Sequence, residues 1–194
     1  MIEKVEQGTP EWFAARLGNV TASRDNYMAQ LICERMTNTV AESYTNAAMA
    51  WGTETEPLAR AAYESLADVL VDEVGYIAHP TIERAGASPD GLIGLFGLLE
   101  IKCPNTATHI DTLISDQVPT KHIAQIQWQM SCTGRTWADF VSFDPRLPSG
   151  LQMFVKRVEF DAEYVAMLKE EVIRFLVELD AKISKLNERL NHVN

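Results

Sequence analysis

From Asp161 onward, Tyr164, Leu168, Val172, Phe175, Leu179, Ile183, Leu186 and Leu190 recur every three or four residues, with polar and charged residues between them. That spacing predicts one long amphipathic C-terminal helix, with Asp161 placed to cap its start. Shorter helical signals fill the N-terminal part. Thr9-Pro10 opens a helix that ends near Gly18, and Thr21-Ala22-Ser23 opens a second through Tyr27, Leu31 and Ile32. A third runs through Tyr44, Ala48 and Met49 and ends at Trp51-Gly52; Pro57 begins a fourth that carries Leu58, Ala61, Ala62 and Leu66.

In the middle of the chain the period shortens. Residues 68–77 alternate loosely, as an edge strand does. Ala87-Ser88-Pro89-Asp90-Gly91 is a turn, followed by Leu92-Ile93 and Leu98-Leu99-Glu100-Ile101-Lys102, with 94–97 as the hairpin connection. Pro119 starts a helix with Ile123, Ile126 and Met130 on its core side, and residues 139–143 and 151–160 alternate as two further strands. Helices, then a central mixed sheet, then helices predict an α/β or α+β fold, in one domain over residues 1–194.

Charge complicates any role with polyanions. The chain has 17 Lys and Arg against 27 Asp and Glu, a formal net charge of −10, which repels phosphate on average. A nucleic-acid enzyme with this balance must gather its positive charge in a channel or a pocket. No apolar run spans a bilayer, and Met1–Glu6 has no basic segment leading into an apolar one, so no membrane anchor or signal peptide is expected. The three cysteines, Cys33, Cys103 and Cys132, form neither a CxxC pair nor a disulfide framework, which suits a reducing cytoplasm. The four histidines, His79, His109, His122 and His192, show no metal-ligand spacing.

The candidate chemistry lies on the hairpin. Glu100 and Lys102 alternate onto one face of a strand while Ile101 points to the other, and the connection brings Asp90 beside Glu100. Two hard carboxylates, with the Ile101 carbonyl between them, suit Mg²⁺ or Mn²⁺ better than a soft metal. A lysine beside such an ion can orient or deprotonate water and stabilise charge on an attacked phosphate. A D…ExK match alone is most often a surface hairpin. Here Glu100 sits among Leu98, Leu99 and Ile101, where an unpaired charge is costly, and Pro104 ends the strand so that the charges lie at a sheet end. Gln125, Gln127 and Gln129 share one helix, and either a solvated face or a water-holding role fits them. Glu54 and Glu56 suit the start of a helix, Arg16 a helix end, and Thr21 and Ser23 either N-caps or a phosphate site.

Taken together, the motifs resemble a known family. Gly8-Thr9-x-Glu11-Trp12-x3-Arg16-x-Gly18-x2-Thr21-Ala22-Ser23, Trp51-Gly52-x3-Glu56, Ser88-Pro89-Asp90-Gly91, Leu99-Glu100-Ile101-Lys102-Cys103-Pro104, Ala124-Gln125-x-Gln127 and Phe143-Asp144-Pro145-Arg146 are similar, in order, to phage lambda exonuclease and the YqaJ-type viral recombinase nucleases. The resemblance spans residues 7–160. It implies a PD-(D/E)xK restriction-endonuclease-like core, and a 5′→3′ exonuclease that degrades one strand of linear duplex DNA to leave 3′ overhangs for recombination by strand annealing. It further implies Asp90 and Glu100 as ligands of two Mg²⁺ ions with the Ile101 carbonyl, Lys102 as the catalytic lysine, and Glu56 and Gln125 around the metals and water. Arg16, Thr21, Ser23 and Ser88 match a pocket for the 5′-phosphate, and Met49 falls near an apolar wedge that parts the strands. A homotrimeric ring, a single-strand annealing partner, and a phage or prophage origin in a bacterial cytoplasm complete the expectation. A ring would confine the needed basic residues to its pore. The stretch between Cys103 and Ala124 is short, and no DNA-tracking residue is assigned within it. A structure-specific endonuclease of the same fold and a non-cutting DNA-end-binding module are the competing readings. An iron–sulfur nuclease is disfavoured because three dispersed cysteines cannot supply four ligands.

Overall fold

Strand β5 (Gly97–Lys102) is the centre of a five-stranded mixed sheet. The computed structural model describes residues 22–39 and 46–193, with only the backbone described for Ala22, Ser23 and Val193. β5 pairs antiparallel with β4 (Gly91–Ile93) through the Gly94–Phe96 turn, as the hairpin pattern predicts, with Gly94 at φ 52°. β1 (Val71–Asp72) closes that edge against β4, so of residues 68–77 only this pair joins the sheet. On the other side β5 runs parallel to β6 (Trp137–Phe143), with Glu100 opposite Phe140 and Lys102 opposite Ser142. β7 (Met153–Glu159) completes the sheet. A separate ribbon pairs β2 (Ile77–Ala78) with β3 (Gly86–Ala87).

The parallel β5–β6 pair needs a crossover. It is made by α3 (Thr106–Ser115) and α4 (Thr120–Thr133). α4 begins after Pro119 as the sequence predicts. The sequence gives no signal for α3, because its buried positions are polar: His109 and Thr112. Its start is nonetheless well made, since the Asn105 side chain accepts the Thr108 N–H at 2.9 Å.

The sheet is covered on both faces, with α1 (Ala22–Thr37) in an outer layer. Leu99, Ile101, Val141 and Phe143 pack against Ala59 and Tyr63 of α2 (Ala47–Ala67). Leu98, Ala138 and Phe140 pack against Ile126 and Met130 of α4. Behind α4, Ala124 and Trp128 meet the ribbon and Leu168 and Val172 of α5 (Ala162–Val193), while α1 rests on Phe175 and Leu179 through Met28. Asp161 caps α5 by accepting the Tyr164 N–H at 2.9 Å. No described helix is long and apolar enough to cross a membrane.

One sequence expectation fails in α2. Trp51-Gly52 and Pro57 were expected to end one helix and begin another, but the helix runs unbroken from Ala47 to Ala67 with Pro57 inside it. Proline leaves the Thr53 carbonyl without its helical donor. Pro57 and Thr53 are both exposed, so water can serve that carbonyl, and the buried residues Ala59 and Tyr63 hold the following turns on the sheet. Asn46 starts the helix by accepting the Met49 N–H at 3.0 Å.

Candidate active site

The candidate site lies at the C-terminal end of β5. Alternation turns Ile101 toward α2 and Glu100 and Lys102 toward α4, and parallel pairing sets Phe140 and Ser142 beside them on the same face. Glu100 is fully buried. Gln129 Nε2 donates to its Oε2 at 2.7 Å, and Lys102 Nζ ion-pairs with its Oε1.

The Asp90 carboxyl arrives from the bend before β4. Its Oδ2 accepts the Ile101 N–H at 2.7 Å, which ties the two strands together at the site. Burial first, and then the charge of Glu100, push the Asp90 carboxyl up to about 8, against the pull of Lys102. At Lys102 burial alone would favour the neutral amine; the charges of Glu100 and Asp90 outweigh it and hold the ammonium protonated beyond its usual range. Its side chain is about a third exposed (32%), so the charge can meet a substrate. Cys103 is pushed up to about 12 by burial and by the charges of Glu56 and Asp90, which favours the neutral thiol.

Glu56 approaches from α2 and is positioned by Arg60. Arg60 Nη2 donates to Glu56 Oε1 at 2.8 Å and to the Asp90 carbonyl at 3.2 Å, while Nη1 pairs with Glu73 at 2.9 Å. Arg60 therefore links α2, the residue that follows β1 and the Asp90 bend. Beside these groups lies a cleft of about 410 Å³ that straddles the end of the sheet: α2 lines one side from Ala48 to Glu56, the start of α4 lines the other, and Ile101–Pro104 form the floor. The Phe143-Asp144-Pro145-Arg146 motif anchors this frame. Arg146 chelates buried Asp144 at 2.7 and 2.9 Å, Thr106 donates to Asp144 at 2.6 Å, and the Arg146 guanidinium lies 4.3 Å from the centre of the Trp51 ring.

Asp90, Glu100, Ile101 and Lys102 meet on the β4–β5 hairpin as their strand positions suggested, and Glu56 of α2, which only the family resemblance placed here, lies close enough for its charge to act on Asp90 and Lys102. Met49 lines the cleft, and Ser88 stands in the segment between β3 and Asp90. Arg16 and Thr21 lie outside the described residues, as does the side chain of Ser23. Of the three glutamines it is Gln129 that grips Glu100; Gln127 bonds the Glu159 carbonyl and the Asp161 N–H instead, and Gln125 is half-buried one turn ahead of Gln129. Arg60, which the sequence reading did not single out, had one available signal: it follows Glu56 at the i,i+4 spacing of a helical ion pair.

The domain profile of YqaJ-like viral recombinases matches residues 11–136. The chain belongs to that family. Among solved structures, the alkaline exonuclease LHK-Exo from Laribacter hongkongensis is 48% identical with a TM-score of 0.90, covering 100% of this chain and 96% of its own. LHK-Exo in complex with dAMP matches at 50% identity and a TM-score of 0.87, covering 96% of this chain and 100% of that one. A phage-related exonuclease from Haemophilus somnus 129PT shares the fold at 16% identity, with a TM-score of 0.69 over 95% and 92% of the two chains. A comparison with curated protein sequences gives no significant match.

Proposed function

We propose that this protein is a divalent-metal-dependent 5′→3′ exonuclease that degrades one strand of linear duplex DNA and leaves a 3′ overhang for strand-annealing recombination. Its standing as a DNA exonuclease of recombination follows from family membership and from 48–50% identity to an alkaline exonuclease. The observation that carries the mechanism is the meeting of Asp90, Glu100 and Lys102 beside a cleft that Lys102 and Glu56 line.

The donors fit Mg²⁺ or Mn²⁺. Asp90, Glu100 and the Ile101 carbonyl offer only hard oxygens, and the charge of Glu100 adds to burial in raising the pKa of Asp90, a repulsion that a cation would relieve. Among the described residues no group of three or more His, Cys, Asp and Glu is arranged to hold an ion by side chains alone. Such a two-carboxylate site leaves positions for water and phosphate, as Mg²⁺ requires. When bound, the ions would supply Lewis acidity toward the phosphate and a lowered pKa for an attacking water.

The protein's own groups do the rest. Lys102 presents a charged ammonium to the phosphate and stabilises the negative charge that develops there. Gln129 fixes the rotamer of Glu100, and Arg60 fixes Glu56, so that both carboxylates are preorganised. Glu56 and Gln125 border the reacting water. Ser88, with Arg16, Thr21 and Ser23, receives the 5′-phosphate, and Met49 parts the terminal base pair. A homotrimeric ring and a single-strand annealing protein as partner belong to the same proposal, since a ring confines DNA against a chain of net charge −10.

Linear duplexes labelled at the 5′ or the 3′ end test this reading. With Mg²⁺, label should leave 5′ ends first, chelator should stop it, 5′-hydroxyl ends should be cut much more slowly, and closed circles should survive. Equal rates on 5′-hydroxyl and 5′-phosphate ends would remove the phosphate pocket. Cutting of closed circles would favour the endonuclease, and no release of nucleotides the end-binding module.

A further inference from the structure

The α4 side of the cleft carries a group that the mechanism above leaves unused. His122, in the first turn of α4, lines the cleft beside the floor formed by Ile101–Pro104. One face of its imidazole is stacked on Phe140, at 5.4 Å between ring centres and 24° between planes. Phe140 is fully buried and pairs with Glu100 across β5 and β6, so the stack is tied to the strand that bears the candidate catalytic carboxylate. On the α2 side of the same cleft stands Met49, a polarisable apolar side chain. A flat ring on one wall and a thioether on the other, with a charged phosphate site at the floor, describe a slot for something flat and apolar joined to a phosphate. The cleft volume of about 410 Å³ lies within the range of small-molecule sites.

We infer that this slot takes a nucleobase next to the scissile phosphate, stacked on His122 and faced by Met49, and that it reads stacking area rather than base identity. The inference rests on the exonuclease reading for its ligand class. Burial, then the neighbouring charges of Lys102 and Lys121, hold the His122 imidazole down at about 3, so the ring stays neutral at working pH and offers an uncharged face. A neutral aromatic platform tolerates every base, which an enzyme that advances along any sequence requires. Lys121, exposed and also lining the cleft, brings an ammonium to the same wall and suits the phosphate of the held nucleotide.

Binding separates the base from the phosphate. The intact protein is titrated with dAMP and with 2-deoxyribose 5-phosphate, which lacks the base, in the native, His122→Ala and His122→Phe forms. Base–aromatic stacking predicts that the native protein prefers dAMP by roughly 5- to 150-fold, that His122→Ala loses this preference without changing affinity for the sugar phosphate, and that His122→Phe restores it. A preference unchanged in His122→Ala, or an equal loss for both ligands, overturns the slot. Digestion of 5′-phosphorylated duplexes with an abasic residue at the terminal or the next position gives the second readout. The defects of His122→Ala and of the abasic residue should fail to multiply at one of these positions, whereas multiplication at both overturns the inference. If the native protein prefers dAMP but digests no linear duplex, the slot stands and the exonuclease reading falls.

Discussion

Replacing Asp90 with Asn should make the metal-free protein more stable while removing its response to metal. The native carboxyl is buried and faces Glu100, and its pKa stands near 8 instead of 3.8. An acid whose folded pKa is raised favours folding in its protonated form, so its contribution is fully present below about 3.8 and is lost as pH rises through 8. Between 3.8 and neutral pH the linkage is worth at most about 4 kcal/mol, and relaxation of the site reduces this to roughly 1–3 kcal/mol. Asn keeps an oxygen to accept the Ile101 N–H and carries no charge. For a chain of this size that gain corresponds to a rise in melting temperature of roughly 2–12 °C at pH 8 in chelator. The advantage should vanish at pH 4, where the native carboxyl is already protonated. Mg²⁺ or Mn²⁺ should raise the melting temperature of the native protein and leave Asp90→Asn unmoved. Thermal unfolding at the two pH values, with chelator and with metal, reads all of this. A variant less stable than native at pH 8, or one equally stabilised at pH 4 and pH 8, refutes the account of Asp90 as a carboxylate held ready for a cation.

Three further outcomes follow from the same geometry. Lys102→Ala should lower single-turnover cleavage about 10²- to 10⁴-fold while DNA binding persists; a loss below tenfold would show that its ammonium does not act on the reacting phosphate. Gln129→Leu removes the sole hydrogen bond described for Glu100 Oε2 and should cost about 1–3 kcal/mol in denaturant unfolding, together with weaker metal binding; an unchanged metal affinity would separate Gln129 from the site. His122, held near 3 by burial and by Lys102 and Lys121, favours folding when neutral. Its contribution is therefore complete above about 6.5 and declines as pH falls toward 3, so His122→Phe should lose less stability than native between pH 6.5 and 4.5, as denaturant unfolding at the two pH values would read.

Much of this protein is decided by local pattern. The long C-terminal helix follows from an apolar stripe that repeats with the helical period, and its cap from one aspartate at the correct offset. The alternation of Leu98, Glu100 and Lys102 against Leu99 and Ile101 fixes which residues share a face, and Pro104 fixes where the strand stops, so the carboxylate and lysine could be placed from the chain alone. Tertiary structure decided what local pattern leaves degenerate. Gln125 and Gln129 lie on one side of the same helix, and only the packing of Ile126 and Met130 on the sheet selects Gln129 as the partner of Glu100. α3 was illegible because its buried positions are polar, His109 satisfied by Ser142 and the Leu151 carbonyl and Thr112 by the Thr108 carbonyl, which no helical period announces. Pro57 signals a helix start, yet burial of Ala59 and Tyr63 on the sheet outweighs one missing hydrogen bond and carries the helix through it. The parallel pairing of β5 with β6 is likewise a long-range choice. It sets Phe140 next to Glu100, and through Phe140 it brings His122 to the wall of the cleft.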